Sequence, residues 1–253
     1  MNDTKYHNLT AVLVHAAWAD GSSWNSVTTS LQKLGMPVLS AQIPLTSLSD
    51  DVAALNRLLR QADGPVLLVG HSYAGAVITA AGTNSQVKAL VYVAAIAPDE
   101  GETVGELFQR AEPQPNTRPQ LAPDENGFLW VPAGGFASAV AQDASREETS
   151  LMQINQHPIA VKCLGEPMTA PAWKQKPSWF LVAERDRMIS PQSAPIRARI
   201  DDSSRASILR TAEHAIVIRT PAGGAGSRSR SGRVDRCRPR SGVARRSAGS
   251  HLG

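Results

Sequence analysis

The chain has 253 residues, 42% of them hydrophobic, which is enough to bury one sizeable core. Its two cysteines, Cys163 and Cys237, stand far apart, without the clustering of a disulfide framework or a structural zinc site. No signal-peptide pattern and no run of about 18 apolar residues occurs, so we expect a soluble, cytoplasmic protein that does not act at a membrane.

The net charge of +4 comes from one end of the chain. Residues 219–253 hold nine arginines against a single acid, Asp235, so the rest of the chain is mildly acidic. An acidic body gives no reason to expect nucleic-acid binding there.

Strand-like and helix-like segments alternate along the chain. Short apolar runs predict strands, and apolar residues three or four apart predict amphipathic helices, the first with Ser22 or Ser23 as N-cap and Gly35 as its stop. Predicted strands cover 9–14, 37–41, 66–69, 87–95, 178–183 and 206–211, and predicted helices cover 24–34, about 49–63 and 74–81. The alternation predicts an α/β fold with a mostly parallel, doubly wound sheet, whose ligand sites lie at the carboxyl ends of the strands.

Two regions break the alternation. Residues 98–176 are rich in Pro, Gly and Glu around weak helical segments such as 147–154, and we interpret them as a helical cap inserted into an α/β domain spanning 1–218. Residues 219–253 lack apolar periodicity, so we expect a disordered tail. The Arg, Gly and Ser bias, with no final helix after the last strand, favours a frameshifted end; a genuine basic tail for nucleic acid or an anionic membrane is the alternative.

The stretch VLLVGHSYAG places Ser72 between an apolar strand and a small-residue helix, as in a nucleophile elbow. Gly70 and Ala74 flank the serine at −2 and +2, where a sharp turn allows only small side chains. Ala74 departs from the strict G-x-S-x-G pattern, but alanine is the smallest substitution and Gly75 follows. The alternative reading of Ser72 is an ordinary serine at a helix N-cap.

A serine nucleophile needs a base and a carboxylate that orients the base. In chains with such an elbow the order is serine, acid, histidine, and His214 follows the last predicted strand; a plain surface histidine is the alternative. Asp186 follows the strand at 178–183 and is the favoured acid. Three other carboxylates stay open: Glu184, Asp201 and Asp202.

Backbone N–H groups must hold the charge that develops on the substrate oxygen. These are predicted to come from Tyr73, directly after the nucleophile, and from Ala17, in the loop after the first strand. His15 is interpreted as a buried histidine that shapes this loop by hydrogen bonding, and His71 as a packing residue. Trp18, Trp130 and Phe136 are candidates for lining a substrate pocket, although core packing explains aromatic residues equally well.

Several stretches of the sequence resemble those of a known protein family. AVLVHAAWADGSSW, GPVLLVGHSYAGAVIT, ALVYVAAIAPDEGE and KPSWFLVAERDRMISP are similar to bacterial α/β-hydrolases related to plant methylesterases, such as salicylate methylesterase, and to hydroxynitrile lyases. The resemblance implies the α/β-hydrolase fold and a cofactor-independent serine esterase that cleaves small carboxylic esters. It implies the same triad, Ser72, Asp186 and His214, with Ala17 and Tyr73 as oxyanion hole.

Two alternatives to an esterase follow from the same resemblance. Hydroxynitrile lyases carry a threonine and a lysine at the positions of Ala16 and Ala215, and neither alanine can donate a side-chain hydrogen bond or supply charge, so lyase chemistry is disfavoured. A ligand-binding relative that retains the triad without using it is the other alternative. The sequence leaves the ester and the oligomeric state open.

Overall fold

One parallel sheet of six strands organises the computed structural model, which describes residues 8–110, 118–189 and, for the backbone alone, 206–211. The strands in chain order are β1 Thr10–Val14, β2 Val38–Ala41, β3 Val66–His71, β4 Val87–Val93, β5 Phe128–Leu129, β6 Ile159–Ala160, β7 Ser178–Ala183 and β8 Ala206–Thr211. The main sheet has the order β2-β1-β3-β4-β7-β8, and β5 pairs with β6 separately. Every pairing in the main sheet is parallel, as the alternation predicts.

Six α-helices lie within the described ranges and connect the strands, and polar caps and a glycine fix several of their ends. They are α1 Asn25–Lys33, α2 Leu48–Leu59, α3 Ala74–Ala81, α4 Val104–Arg110, α5 Arg146–Asn155 and α6 Lys162–Gly165. Ser47 caps α2 through the Asp50 N–H, and Ser145 forms a capping box on α5 with Glu148. Gly35 follows α1 with φ +73°, a left-handed conformation that favours glycine at a helix end.

The predicted N-cap of α1 is wrong. A 3₁₀ turn, Gly21–Trp24, precedes the helix, and its cap is Asp20, whose carboxylate accepts a hydrogen bond from the Ser22 N–H at 2.7 Å. The apolar spacing from Trp24 onward could not reveal this turn, because a turn of four residues is too short to show a periodicity of its own.

Helices cover both faces of the sheet. Successive residues of a strand point to opposite faces, and along β1 Val12 and Val14 belong to one buried cluster while Ala11 and Leu13 belong to the other. Apolar residues of α2 and α3 pack in the first cluster, and those of α1 pack against the second. This double covering explains why β1 is buried along its whole length.

The chain between β4 and β7 forms short elements over the carboxyl ends of the strands. It contains α4, the β5–β6 pair, a π-helical turn Phe136–Val140, α5 and α6. Its hydrogen bonds to the rest of the molecule include one from the Ala160 N–H to the Leu45 carbonyl, 2.9 Å, and one from the Ser49 N–H to the Glu166 carboxylate, 3.1 Å. We refer to this segment, 94–177, as the cap.

Within the described ranges, every helix is too short or too polar to cross a membrane. The predicted tail, 219–253, and the end of the predicted domain at 218 lie outside the described residues.

Candidate active site

Ser72 occupies a strained turn between β3 and α3. Its φ of +54° lies in the left-handed region, which a serine enters only at a cost of the order of 1–3 kcal/mol. The surrounding backbone holds the turn: the Ser72 N–H donates to the Val93 carbonyl at 3.1 Å, and the Ser72 carbonyl accepts from the Ile96 N–H at 3.1 Å. The hydroxyl is thereby presented at the start of α3.

Small neighbours make this turn possible. A Cβ added to Gly70 would lie 2.8 Å from the Ala74 carbonyl oxygen, and one added to Gly75 would lie 2.2 Å from the Ile96 carbonyl oxygen. Both distances are shorter than real carbon–oxygen contacts, and both partners are main-chain atoms that cannot swing aside. The steric reading of the elbow at Gly70 is therefore confirmed, and Gly75 is under the same constraint.

His15 holds the loop after β1 in place through hydrogen bonds of its imidazole ring. This ring is buried, its Nε2 accepts from the Ile43 N–H at 3.1 Å, and its Nδ1 lies 2.9 Å from the Ala16 carbonyl. That pattern is satisfied by the neutral tautomer with its proton on Nδ1, and burial lowers the pKa of His15. The predicted structural role of His15 is confirmed. His71 is also buried and packs edge-on against Trp24.

An apolar cavity lies over the elbow. Its empty volume, including the part open to solvent, is about 580 Å³. Ser72, Ala17 and Tyr73 all line it, so the structure brings the predicted nucleophile and both predicted oxyanion donors to one space. Apolar side chains from the cap and from the loop after β7 form most of the remaining wall: Val104, Phe108, Leu121, Leu129, Val140, Ile159, Leu164, Met188 and Ile189.

Of the three aromatic residues predicted for the pocket, Trp18 lines this cavity. Its φ is +58°, and its indole donates to the Leu129 carbonyl of β5 at 2.8 Å, which ties the loop after β1 to the cap. Trp130 and Phe136 are not among the lining residues. Trp130 is 45% exposed and its indole donates to Asp124 at 3.0 Å, while Phe136, in the π-helical turn of the cap, is buried in the main apolar core.

Asp186 is buried just beyond β7, and its own loop holds it. One carboxylate oxygen, Oδ1, accepts hydrogen bonds from the Met188 and Ile189 N–H groups, each at 2.8 Å. Met188 and Ile189 themselves line the cavity, so the loop that fixes this carboxylate also forms part of the pocket wall. Glu184, by contrast, is exposed.

Arg118 adds a positive charge near this loop. Its Nε donates to the Met188 carbonyl at 2.7 Å, and its guanidinium lies over the Phe108 ring at 3.9 Å. Burial lowers the pKa of Arg118, and the charge of Asp186 opposes that shift. The guanidinium thus joins the Asp186 loop to helix α4 of the cap.

His214 and Ala215 lie outside the described residues, as do Asp201 and Asp202. The described chain ends at Thr211 of β8, which pairs with Ala183 of β7. The roles predicted for Ser72, Asp186, His214, Ala17 and Tyr73 therefore stay predictions.

A model of the alpha/beta hydrolase family matches residues 11–224 of the chain. The chain belongs to this family. The match covers β1 to β8 and thus every strand of the main sheet, so the predicted α/β-hydrolase fold is confirmed.

Two relatives align with this hydrolase in sequence. The Alpha/beta hydrolase nvfD of Aspergillus novofumigatus (strain IBT 16806) is 24% identical over 233 residues, which cover 83% of this chain and 91% of the relative. The Carbendazim hydrolyzing esterase of Nocardioides sp. (strain SG-4G) is 32% identical over 116 residues, which cover 40% of this chain and 48% of the relative.

A solved structure shares the fold. An extracellular alpha/beta-hydrolase from a Paenibacillus species, described as a structural and functional homologue of tobacco Salicylic Acid Binding Protein 2, superposes with a TM-score of 0.66 at 20% identity. The superposition covers 80% of this hydrolase and 89% of the other chain. The predicted relation to methylesterase-like α/β-hydrolases is consistent with this likeness of fold.

Sequence reasoning missed a buried polar cluster behind the elbow. Asp51, in the first turn of α2, is wholly buried and accepts a 2.6 Å hydrogen bond from the Tyr73 phenol. The Leu45 N–H donates to its other oxygen at 2.7 Å, and the Cys163 thiol lies 3.9 Å away. The available signal was position: Asp51 lies four residues before the core residue Leu55, on the apolar face of α2.

Proposed function

We propose that this α/β-hydrolase cleaves carboxylic esters through an acyl-enzyme formed on Ser72. The observation that carries the proposal is the strained serine at +54°, which shares an apolar cavity with two residues whose main-chain N–H groups can hold an oxyanion. The 32% identical esterase supports ester bonds as the target.

The proposed mechanism uses the residues as follows. His214 takes the hydroxyl proton as Ser72 attacks the ester carbonyl, and the N–H groups of Ala17 and Tyr73 stabilise the tetrahedral oxyanion. The alcohol leaves with the proton from His214, and water then hydrolyses the acyl-enzyme by the same route. Asp186 stays ionised and orients the imidazole.

Within the described chain, no group accepts a hydrogen bond from the N–H of Ala17 or of Tyr73. Both donors are thus available to a bound substrate, which supports their assignment. The apolar wall favours esters whose acyl or alcohol group is a small hydrocarbon or aryl unit, because such a group gains about 25 cal/mol per Å² of apolar surface buried.

The test compares the purified chain with Ser72→Ala on p-nitrophenyl acetate and p-nitrophenyl butyrate. We expect Ser72→Ala to reduce turnover by three orders of magnitude or more, since the acyl-enzyme cannot form. Ser178→Ala is the control: it removes a buried serine hydroxyl at the first residue of β7, away from the carboxyl ends of the strands, and should leave turnover within twofold.

A covalent label gives an independent readout. A fluorophosphonate should modify the wild-type and Ser178→Ala proteins at Ser72, as located by peptide mass spectrometry, and should leave Ser72→Ala unlabelled. Equal turnover in the wild-type and Ser72→Ala proteins, or labelling at another serine, would refute the proposal.

A further inference from the structure

The hydrogen bond between Asp51 and Tyr73 joins a buried carboxylate to the residue directly after the nucleophile. At 2.6 Å between oxygens it is short, and both residues are buried. Charge-assisted hydrogen bonds of this length are about twice as strong as neutral ones. The bond therefore restrains the Tyr73 side chain strongly.

Restraint of that side chain also restrains the Tyr73 main chain. The phenol and the N–H are attached through the same Cα, and Tyr73 forms the N-cap of α3 at φ −52°, ψ −39°. Its N-terminal neighbour is the strained Ser72, and a strained turn persists only where its surroundings over-determine it. A fixed phenol is one such constraint, since it limits the rotation of the peptide between the two residues.

The Asp51 carboxylate is itself held from another part of the fold. Its Oδ1 accepts the Leu45 N–H, and its backbone lies in the first turn of α2. The Leu45 carbonyl in turn accepts the Ala160 N–H of the cap. The anchor for Tyr73 is thus the packed junction of α2, the loop after β2 and the cap, and does not depend on the elbow.

The ionisation states suit this role near neutral pH. Burial raises the pKa of Asp51 to about 6, so its carboxylate is charged above that value, and burial raises the pKa of the Tyr73 phenol, which stays a donor. The other ionisable groups that face Asp51 are Asp50 and Cys163. Cys163 is a neutral thiol, because burial raises its pKa to about 12.

We infer that Asp51 and Tyr73 form a positioning pair, in which the carboxylate fixes the phenol and thereby aims the Tyr73 N–H at the oxygen of the substrate. The pair acts on the rate of the chemical step and leaves substrate affinity unchanged, because an oxyanion donor is used in the transition state. The inference rests on the proposed esterase function.

The test removes the phenol hydroxyl alone. Loss of one oxyanion donor costs about 10²–10³ in turnover, and a loosened donor should cost less, so we expect Tyr73→Phe to lower kcat about tenfold with KM within twofold. Tyr92→Phe is the matched control, since its phenol is also buried and hydrogen-bonded, 2.9 Å from Thr79. Tyr92→Phe should leave kcat and KM within twofold of the wild type. It should lower the melting temperature about as much as Tyr73→Phe does.

Asp51→Asn tests the other end of the same bond and replaces Tyr73→Phe if that variant does not fold. We expect a similar fall in kcat, and no further fall in the double variant, because both substitutions remove the same charge-assisted hydrogen bond from the phenol to the carboxylate. Equal kcat in Tyr73→Phe and Tyr92→Phe, or a change in KM without a change in kcat, would overturn the positioning pair. The esterase proposal would still stand in that case, provided that the wild type is active and Ser72→Ala is inactive. An inactive wild type, or an active Ser72→Ala, would overturn both.

Discussion

Asp186 owes its position to its own loop, and this makes its proposed role testable without disturbing the fold. An asparagine can still accept the Met188 and Ile189 N–H groups through Oδ1. It cannot stabilise a positively charged imidazole, so we expect Asp186→Asn to lower kcat by a factor on the order of 10⁴ in the p-nitrophenyl ester assay.

Glu184→Gln is the control for this substitution. Glu184 lies two residues earlier on the same loop but is exposed, so its neutralisation should leave kcat within twofold. If Glu184→Gln lost activity and Asp186→Asn retained it, the assignment of the acid would have to be exchanged.

Asp51 predicts a dependence of stability on pH. Its folded-state pKa of about 6 lies above the unfolded value of 3.8, so the folded protein binds this proton more tightly. The resulting stabilisation is complete below about pH 4 and is lost as pH rises through 6, for a total of about 3 kcal/mol. Asp51→Asn cannot titrate and escapes this loss.

The measurement is urea unfolding of both proteins at pH 4 and at pH 7. The free energy of unfolding of Asp51→Asn minus that of the wild type should become more positive by up to about 3 kcal/mol between the two pH values. A difference that does not change with pH would show that the folded protein holds Asp51 at an ordinary pKa.

At the scale of elements, the elbow depends on how closely α3 approaches the backbone after β4. Gly75→Ala would place a methyl group 2.2 Å from the Ile96 carbonyl, and the Ile96 N–H is a hydrogen-bond partner of Ser72. Since overpacking typically costs 1–3 kcal/mol, we expect a loss of about 2 kcal/mol in urea unfolding together with reduced turnover.

Gly165→Ala serves as the comparison for that variant. No heavy atom lies within 4 Å of a Cβ built on Gly165, which ends the short helix α6, so this alanine should be neutral or slightly stabilising. If both alanines had the same small effect, the contact with Ile96 would have relaxed at little cost.

The elements that sequence patterns predicted are those with a strong local cause. Runs such as Val66–His71 are buried on both faces and rich in β-branched or aliphatic residues, and Ala74–Ala81 is a continuous small-residue helix. The strands β5 and β6 have two residues each, too few for any periodicity, and they exist because each pairs with the other across the cap. The 3₁₀ turn before α1 could not be predicted for a similar reason, because its four residues are too few to show a periodicity.

The same distinction between local and long-range causes applies to the residues of the candidate site. Ser72 with its small neighbours is a local motif, readable from ten consecutive letters. The contact between Asp51 and Tyr73 joins residues 22 positions apart, and only the packing of α2 against α3 creates it. Trp130 shows the converse case. Its aromatic side chain in the cap predicts a place in the pocket wall, whereas in the structure its indole donates to Asp124 at the surface.

At the scale of the whole molecule, the proposed esterase would select its substrates through the cap, whose side chains form much of the cavity wall. Leu164 of α6 lines the cavity and is partly buried, so Leu164→Ala should enlarge the pocket. We expect kcat/KM for p-nitrophenyl hexanoate to rise several-fold relative to the acetate, because the longer chain gains room.

Ile154→Ala is the matched control in the cap. Ile154 is 75% exposed on α5 and absent from the cavity wall, so the ratio of hexanoate to acetate should equal that of the wild type. A change of the ratio in this variant, with none in Leu164→Ala, would mean that chain length is sensed elsewhere.

The order of strands in the sheet supports the proposed catalytic residues unequally. Ser72 follows β3, which has partners on both sides, whereas β8, the strand that leads toward position 214, pairs within the described sheet with β7 alone. Backbone at a margin opens more readily than backbone at a centre. On heating, turnover should therefore be lost, reversibly, some degrees below the melting temperature of the whole protein. The first loss of activity would then reflect local opening at β8, and global unfolding would follow at higher temperature.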